Sequence, residues 1–419
     1  MRVLVVGGGI IGTSSAWFLR AAGHEVTLIE RACGVARETS FANGGQISVS
    51  HSEPWANPGA PLKLLKWLGR ADAPLLFRPR AEVEQWRWAL SFLRECLPGH
   101  TARNIRHNVR LATYSRALLR ALRRELALEY DQLSRGILHF YTSAAEYEAS
   151  LAPAALMREL GCDRRPIGAD EAVRIEPALA PLRDRIVGAD YCAEDESGDA
   201  ARFTELLAQA AQARGVRFSF DTQVTRIVVE GGRAVAVEVV APEGDFRRLA
   251  ADAVVVACGV HSRALLAPLG IRLSLYPGKG YSATYTIIDA DRAPTVSLTD
   301  DECKLVFSRL GARLRVAGTA EIGSHDRGLN ELRCAAITRR VQSLFPGACD
   351  YAQPKYWAGL RPVTPSGVPL IGATPIAGLF VNTGHGTLGW TMGVGSGKLC
   401  ADLLDGRATD IEPTPLPWK

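Results

Sequence analysis

The sequence predicts an α/β fold, with a Rossmann-like cofactor domain joined to a second domain built on a mixed or antiparallel sheet. Three observations predict it. A glycine-rich turn lies between a strand pattern and a helix pattern near residue 7. A second glycine–helix junction lies near residue 384. Between them, several strand patterns follow one another without intervening helices, which suits a mixed or antiparallel sheet.

The run Arg2-Val3-Leu4-Val5-Val6 is rich in β-branched residues and suits a central parallel strand buried on both faces. Gly7, Gly9 and Gly12 then occupy a GxGxxG turn. Residues 13–22 read as a helix, and Gly23 fits its C-terminal stop. Residues 26–29 form the next strand, with Glu30 at its end. Gly7 allows the tight turn, Gly9 lets a pyrophosphate approach the backbone, and Gly12 lets helix and strand pack closely. The helix start offers free N–H groups and a positive dipole end to phosphates. Glu30 can accept hydrogen bonds from both ribose hydroxyls of an adenosine, and its charge repels a 2′-phosphate, which disfavours NADP. The motif by itself leaves FAD and NAD open.

Residues 223–229 and 234–239 read as a hairpin around Gly231-Gly232. Residues 252–257 are a second buried-strand pattern, with Gly259 just beyond, and 379–382 a third. Gly384, His385, Gly386 and Thr387 lead into a helix ending near Leu404. Two glycine–helix junctions so far apart in the chain suit a long cofactor with two ends. The first takes the pyrophosphate. The second can face the N1/C2=O edge of a flavin, where negative charge grows on reduction.

Composition narrows the function classes. The chain has 419 residues, enough for two or three structural units. Hydrophobic residues at 47% and charged residues at 22% exclude a disordered, collagen-like or coiled-coil chain. No stretch reaches the ~18 apolar residues of a spanning helix. The net charge, 49 − 44 = +5, is too mild to imply nucleic-acid binding. The nine scattered cysteines contain no CxxC pair, which argues against a zinc ribbon, a disulfide scaffold or a dithiol motif and for reduced thiols in the cytoplasm. No metal site is expected. The apolar N-terminal run is broken by Gly7, Gly8 and Gly9 and reads as a strand, not a signal peptide.

At particular residues the chain resembles the D-amino-acid oxidase superfamily of FAD flavoproteins, and within it the bacterial D-amino-acid dehydrogenases. The matching segments are Glu38-Thr39-Ser40, Ala42-Asn43, Gly45-Gln46-Ile47-Ser48, Pro54-Trp55, Pro58-Gly59, Pro61-Leu62-Lys63, 276–282, 357–362, Thr364-Pro365 and 382–392. The resemblance implies a GR2-type FAD-binding domain from 1–50, 197–262 and 355–419, and a substrate domain from 51–196 and 263–354. The substrate domain carries strands at 137–142, 187–192, 273–287 and 304–317, the last with a turn near Gly311. It implies FAD contacts at Val3, Gly7, Gly9, Ile10, Ile11, Gly12, Glu30, Arg31, Ser40, Asn43, Gly45, Gln46 and Ile47. Further along they fall at Val224, Ala257, Gly259, Arg361, Gly384, His385, Gly386, Thr387 and Leu388. Relatives that attach flavin covalently use a cysteine near 357–361 or an early histidine. No cysteine lies at 357–361, so noncovalent FAD is expected. Gly44, Gly393-Val394 and Lys398 stand where alanine, Ala-Cys and glutamine are usual, which leaves the exact substrate open.

In such families Leu360-Arg361-Pro362 carries the arginine that binds the substrate carboxylate. A guanidinium fork grips a carboxylate through two parallel charge-assisted hydrogen bonds. Flanked by glycine and proline, Arg361 reads as a loop residue after an aromatic strand, and a structural salt bridge is the alternative. The resemblance implies oxidative deamination of D-amino acids, with a hydride passing from Cα to flavin N5 and release of a 2-oxo acid and ammonia. No side-chain base is needed once the amine is neutral. Tyr281 and Lys279 lie in a strand expected to line the pocket, with an ordinary strand end as the other reading.

For the electron acceptor, residues 61–68 are basic, leucine-rich and aromatic, and 103–124 are dense in arginine. Together they suit an anionic lipid surface, peripheral attachment to the inner face of the inner membrane, and a quinone or other respiratory acceptor with or without a partner subunit. A solvated face over a buried leucine stripe is the alternative. The competing functions are an oxidase of the same fold acting on glycine, sarcosine, D-proline or D-hydroxyproline, a noncatalytic flavin-binding subunit, and an NAD-linked dehydrogenase.

Overall fold

The structure, a computed structural model, describes residues 1–67, 73–241 and 243–418. A six-stranded sheet runs in the order Leu370–Ala373, Leu379–Thr383, Ala253–Val256, Arg2–Val6, Glu25–Ile29, Arg217–Ser219. Arg2–Val6 lies parallel between Ala253–Val256 and Glu25–Ile29. Its alternation divides two cores. Val3 and Val5 pack with the helices Ile10–Ala21 and Gly389–Asp405. Leu4 and Val6 pack with a three-stranded sheet of Gln223–Glu230, Arg233–Val240 and Phe246–Ala250. The apolar run is thus buried on both faces for the expected reason.

The larger sheet has nine strands. Lys355–Val363 forms one edge, followed by Tyr276–Thr286, Arg313–Ile322, Leu305–Leu310, Ser297–Asp300, Ile137–Tyr141, Gly188–Cys192 and Arg164–Ile167. Most pairs are antiparallel. Ser297–Asp300 runs parallel to Ile137–Tyr141, and Leu75–Phe77 parallel to Arg313–Ile322. The sheet is therefore mixed.

Several local expectations shift. The first helix begins at Ile10, immediately after the glycine turn and not at 13. The last helix begins at Gly389, so Gly384–Leu388 form a separate turn before it. Arg361 is not in a loop. It lies in Lys355–Val363, and Pro362 is tolerated there because this is an edge strand, where a missing N–H breaks no second ladder. The arginines of 103–124 lie on the helix Pro98–Leu126, and most are neutralised: Arg116 meets Asp195 at 2.8 Å, Arg120 meets Glu196 at 2.6 Å, and Arg123 meets Glu196 at 2.6 Å. These ion pairs leave no open basic face at Arg116, Arg120 and Arg123. Leu68, part of the other basic segment, lies outside the described residues. Among the described residues no helix is long and apolar enough to cross a membrane, and no cluster of His, Cys, Asp and Glu could hold a metal.

Candidate active site

The first glycine turn is dictated by contact. Gly7 has φ +110°, and a β-carbon on it would lie 2.6 Å from the Ala257 carbonyl oxygen. A β-carbon on Gly12 would lie 1.8 Å from the Gly7 oxygen. Neither position admits another residue. In front of Gly9 the space is open except for Ser40 Oγ, which accepts a hydrogen bond from Ile10 N at 3.1 Å. The helix Ile10–Ala21 has no side-chain cap and no acid in its first turn, so its positive end is available to an anion.

Glu30 accepts from Gly8 N at 2.6 Å and Ala32 N at 2.9 Å. A carboxylate has about four acceptor directions, so capacity for ribose hydroxyls remains. Thr222 N donates to the Glu30 carbonyl at 3.0 Å, which brings Val224 and its strand beside this acid. Ala257 N donates to Val6 O at 2.8 Å, and Gly259 follows with φ +55°. Arg31 is paired with Glu38 at 2.6 Å. Val3 and Ile47 are fully buried and serve packing through their side chains, while Ile11 lies at the margin of the same core.

The loop after Ser40 leads into a cavity of about 710 Å³. Asn43, Gly45, Gln46, Thr387, Leu388 and Arg361 all border it. Asn43 Oδ1 accepts from Gly45 N at 2.9 Å, which sets the loop. Gln46 Nε2 donates to Ser297 Oγ at 3.0 Å and Leu298 O at 3.2 Å, tying the loop to the large sheet. Two departures from the family pattern have local causes. A β-carbon on Gly44 would lie 2.5 Å from Val306 Cγ2, and one on Gly393 2.8 Å from Ile10 Cγ1.

Arg361 is placed opposite Gly278 in the sheet register, and its guanidinium lies over Gly280. Among the described residues its only hydrogen bond is Nη1 to the Thr319 carbonyl at 3.2 Å, and no carboxylate pairs with it. It borders the cavity yet is enclosed enough that loss of hydration lowers its pKa to about 10, so it remains a cation at neutral pH. Among the described residues no acid ties Arg361 into a structural salt bridge. Most of its five N–H donors are left for a ligand.

Tyr281 borders the cavity, and its hydroxyl donates to Glu321 Oε1 at 2.7 Å. Burial and the Glu321 charge hold its phenol proton well above the usual range, so it is no base at neutral pH. Lys279 does not border the cavity. Its Nζ is 3.0 Å from Asp326 Oδ1, because the strand's alternation turns it to the other side of the sheet from Gly280. The expectation that Lys279 lines the pocket is corrected accordingly.

His385 is buried, and neither ring nitrogen has a partner among the described residues. Burial takes its pKa down to about 3, so the ring is neutral. The turn around it is fixed by Gly386 N donating to Pro362 O at 3.0 Å and Leu388 N donating to His385 O at 2.9 Å, with Gly384 at φ +85°. The helix Gly389–Asp405 again lacks a side-chain cap. Two uncapped helix starts and a buried imidazole with bare nitrogens fit a long ligand, with phosphates at one end and a polar ring system at the other. Sequence reasoning missed a second polar wall of the cavity, which includes His51, Glu53, His139, Arg164 and Lys304. Only Glu53 carried a local hint, beside the Pro54-Trp55 match, and a single acid is a weak signal.

A family model for FAD-dependent oxidoreductases (DAO) matches residues 2–403. The chain belongs to this family. FAD is therefore the cofactor that the two helix starts and His385 fit. The DAO-family chain is 54% identical over 412 residues to a D-amino acid dehydrogenase of Dechloromonas aromatica, covering 98% of this chain and 99% of the relative. It is 48% identical to a D-amino acid dehydrogenase of Paramagnetospirillum magneticum, covering 98% and 96%. The solved glycine oxidase of Geobacillus kaustophilus shares the fold, with a TM-score of 0.76 at 24% identity over 98% of this chain and 96% of that one.

Proposed function

We propose that this DAO-family oxidoreductase removes hydride and amine from D-amino acids and passes the electrons to a quinone. The observation that carries the reading is Arg361, a cation bordering the cavity with one backbone acceptor and, among the described residues, no acid partner. A substrate carboxylate completes its fork with two charge-assisted hydrogen bonds. Strand pairing and contact with Gly280 hold the guanidinium, so the carboxylate it grips has a fixed orientation, and the substrate Cα is fixed with it. FAD supplies a two-electron acceptor for the hydrogen on Cα. The hydrogen on Cα would leave with its electron pair to that acceptor, the nitrogen lone pair would form the Cα=N bond, and water adding to this iminium would release a 2-oxo acid and ammonia. Neither Tyr281 nor Lys279 is free to take a proton, since one donates to Glu321 and the other is ion-paired to Asp326. With the amine entering neutral, no side-chain base is needed. The D-amino acid dehydrogenases at 54% and 48% identity support the same substrate class.

The acceptor side rests on exposed apolar residues. Leu62 and Leu65 on the helix Ala60–Trp67 are exposed, as are Val83, Trp86, Leu90 and Leu93 on the helix Val83–Glu95. Their spacing forms a stripe, with exposed Arg87 and Arg94 between. Both helices pack on one small core through Ala60, Leu64, Trp88 and Phe92. The stripe with its arginines suits an anionic lipid surface, and Ala60 and Leu64 also border the cavity, which suits a lipid-soluble acceptor.

The test is anaerobic bleaching of the flavin with D-alanine, L-alanine, glycine, sarcosine and D-proline, followed by reoxidation with a soluble ubiquinone analogue. Bleaching by D-alanine with rapid reoxidation by the quinone is expected. A flavin that stays yellow with every D-amino acid, or reoxidation only by oxygen with peroxide release, defeats the reading. Leu90→Glu with Leu93→Glu should lower binding to phosphatidylglycerol vesicles.

A further inference from the structure

The second polar wall of the cavity is formed by residues 51–55, the strand Ile137–Tyr141 and the turn 300–304. Its cations are already matched. Lys63 Nζ lies 2.7 Å from Glu146, Lys304 Nζ 2.9 Å from Asp301, and Arg164 Nη2 2.9 Å from Asp190. His139 bridges Ser50 Oγ at 2.9 Å and Asp301 at 3.3 Å. His51 stacks on His139 at 5.8 Å, and burial together with the neighbouring positive groups keeps it neutral. Three cations thus face three carboxylates. Glu53 is left over. It borders the cavity, and among the described residues no hydrogen bond or ion pair reaches its carboxyl.

We propose that Glu53 is a specificity residue that binds a cationic group at the end of the substrate side chain, so that D-lysine and D-arginine are preferred over neutral D-amino acids of similar length. Such a substrate is charged at both ends in the sense the cavity requires: its carboxylate meets Arg361 and its side-chain cation meets Glu53. Burial already pushes the Glu53 carboxyl above its ordinary range, even with Arg164 and Lys304 nearby, so an arriving cation stabilises the charged form. A neutral side chain leaves that acid desolvated and unpaired, and a site built around a polar group discriminates strongly against ligands that leave it unmatched. The inference rests on the D-amino-acid reading above and sharpens it.

The test uses the FAD-loaded enzyme and compares kcat/KM for D-lysine with that for D-norleucine, which lacks the terminal ammonium. Wild-type enzyme should prefer D-lysine by about tenfold or more, the size of one partly desolvated ion pair. Glu53→Gln should collapse that ratio toward one, chiefly through KM for D-lysine, with flavin absorbance confirming a loaded, folded protein. High salt should narrow the wild-type ratio. If wild-type enzyme shows no preference for D-lysine, or if Glu53→Gln keeps the ratio, the role of Glu53 is overturned while D-amino-acid oxidation stands. The first measurement needs no variant, so a poorly folding Glu53→Gln does not rescue the idea. If D-alanine, D-lysine and D-norleucine all fail to bleach the flavin, the underlying reading falls as well.

Discussion

The guanidinium of Arg361 lies directly over Gly280, so that a β-carbon at 280 would sit 2.2 Å from Arg361 Cζ. Two adjacent strands hold the two residues in that relation, Tyr276–Thr286 and Lys355–Val363. The arginine's position in the cavity depends on the glycine as much as on its own strand.

Gly280→Ala therefore displaces the guanidinium without removing its charge. KM for D-alanine should rise by about tenfold or more, because a 1 Å misplacement of a positioning group is expensive. Bound flavin should be retained. An unchanged KM would show that the arginine is not set by this contact.

Arg361→Ala removes the carboxylate anchor altogether. Loss of charge-assisted hydrogen bonds worth about 3 kcal/mol predicts a fall in kcat/KM of roughly 100-fold. Arg361→Lys restores the charge but not the fork and should recover only a small part. Single-turnover bleaching with D-alanine checks both variants, with FAD content measured alongside.

Gly12→Ala tests the first turn. Its β-carbon would lie 1.8 Å from the Gly7 carbonyl oxygen, and backbone on both sides cannot yield cheaply. The expected result is a protein destabilised by about 3 kcal/mol or more. Its flavin-to-protein absorbance ratio should be near zero.

His385 ties stability to acidity. Its buried ring titrates at about 3 in the folded protein, against ~6.5 in the unfolded chain. Between those values the unfolded chain binds the extra proton. Its contribution is therefore fully present above ~6.5 and is lost as pH falls toward 3, with a limiting slope near 1.4 kcal/mol per pH unit. Thermal midpoints at pH 7 and pH 5 should differ less in His385→Asn than in wild type. An equal difference in both would place the acid sensitivity elsewhere.

The glycine turn, the central strand and the presence of a helix after each glycine cluster were legible in the sequence because short-range sterics dictate them, whereas the first residues of those helices, Ile10 and Gly389, were not. Gly7 and Gly12 are required by atoms a few residues away or by one neighbouring strand. Val3 to Val6 announce a strand buried on both faces by their composition alone. Arg361 was legible as a residue but not as a place. Its Gly and Pro neighbours suggest a loop, and only the position of Lys355–Val363 at a sheet edge makes Pro362 compatible with a strand.

The sequence by itself determined the glycine turn after the first strand and the mixed second sheet, and it singled out Arg361 as a candidate. Only the tertiary structure decided which charges were left unspent. Lys279 and Asp326 are 47 positions apart, and Arg116 and Asp195 are 79 apart. Their pairing cannot be inferred from spacing, yet it takes Lys279 out of the pocket and Arg116 out of the basic surface, and leaves Arg361 and Glu53 facing the cavity. The glycine turn follows a spacing pattern written into adjacent residues, whereas a charge is satisfied by whatever the fold brings beside it.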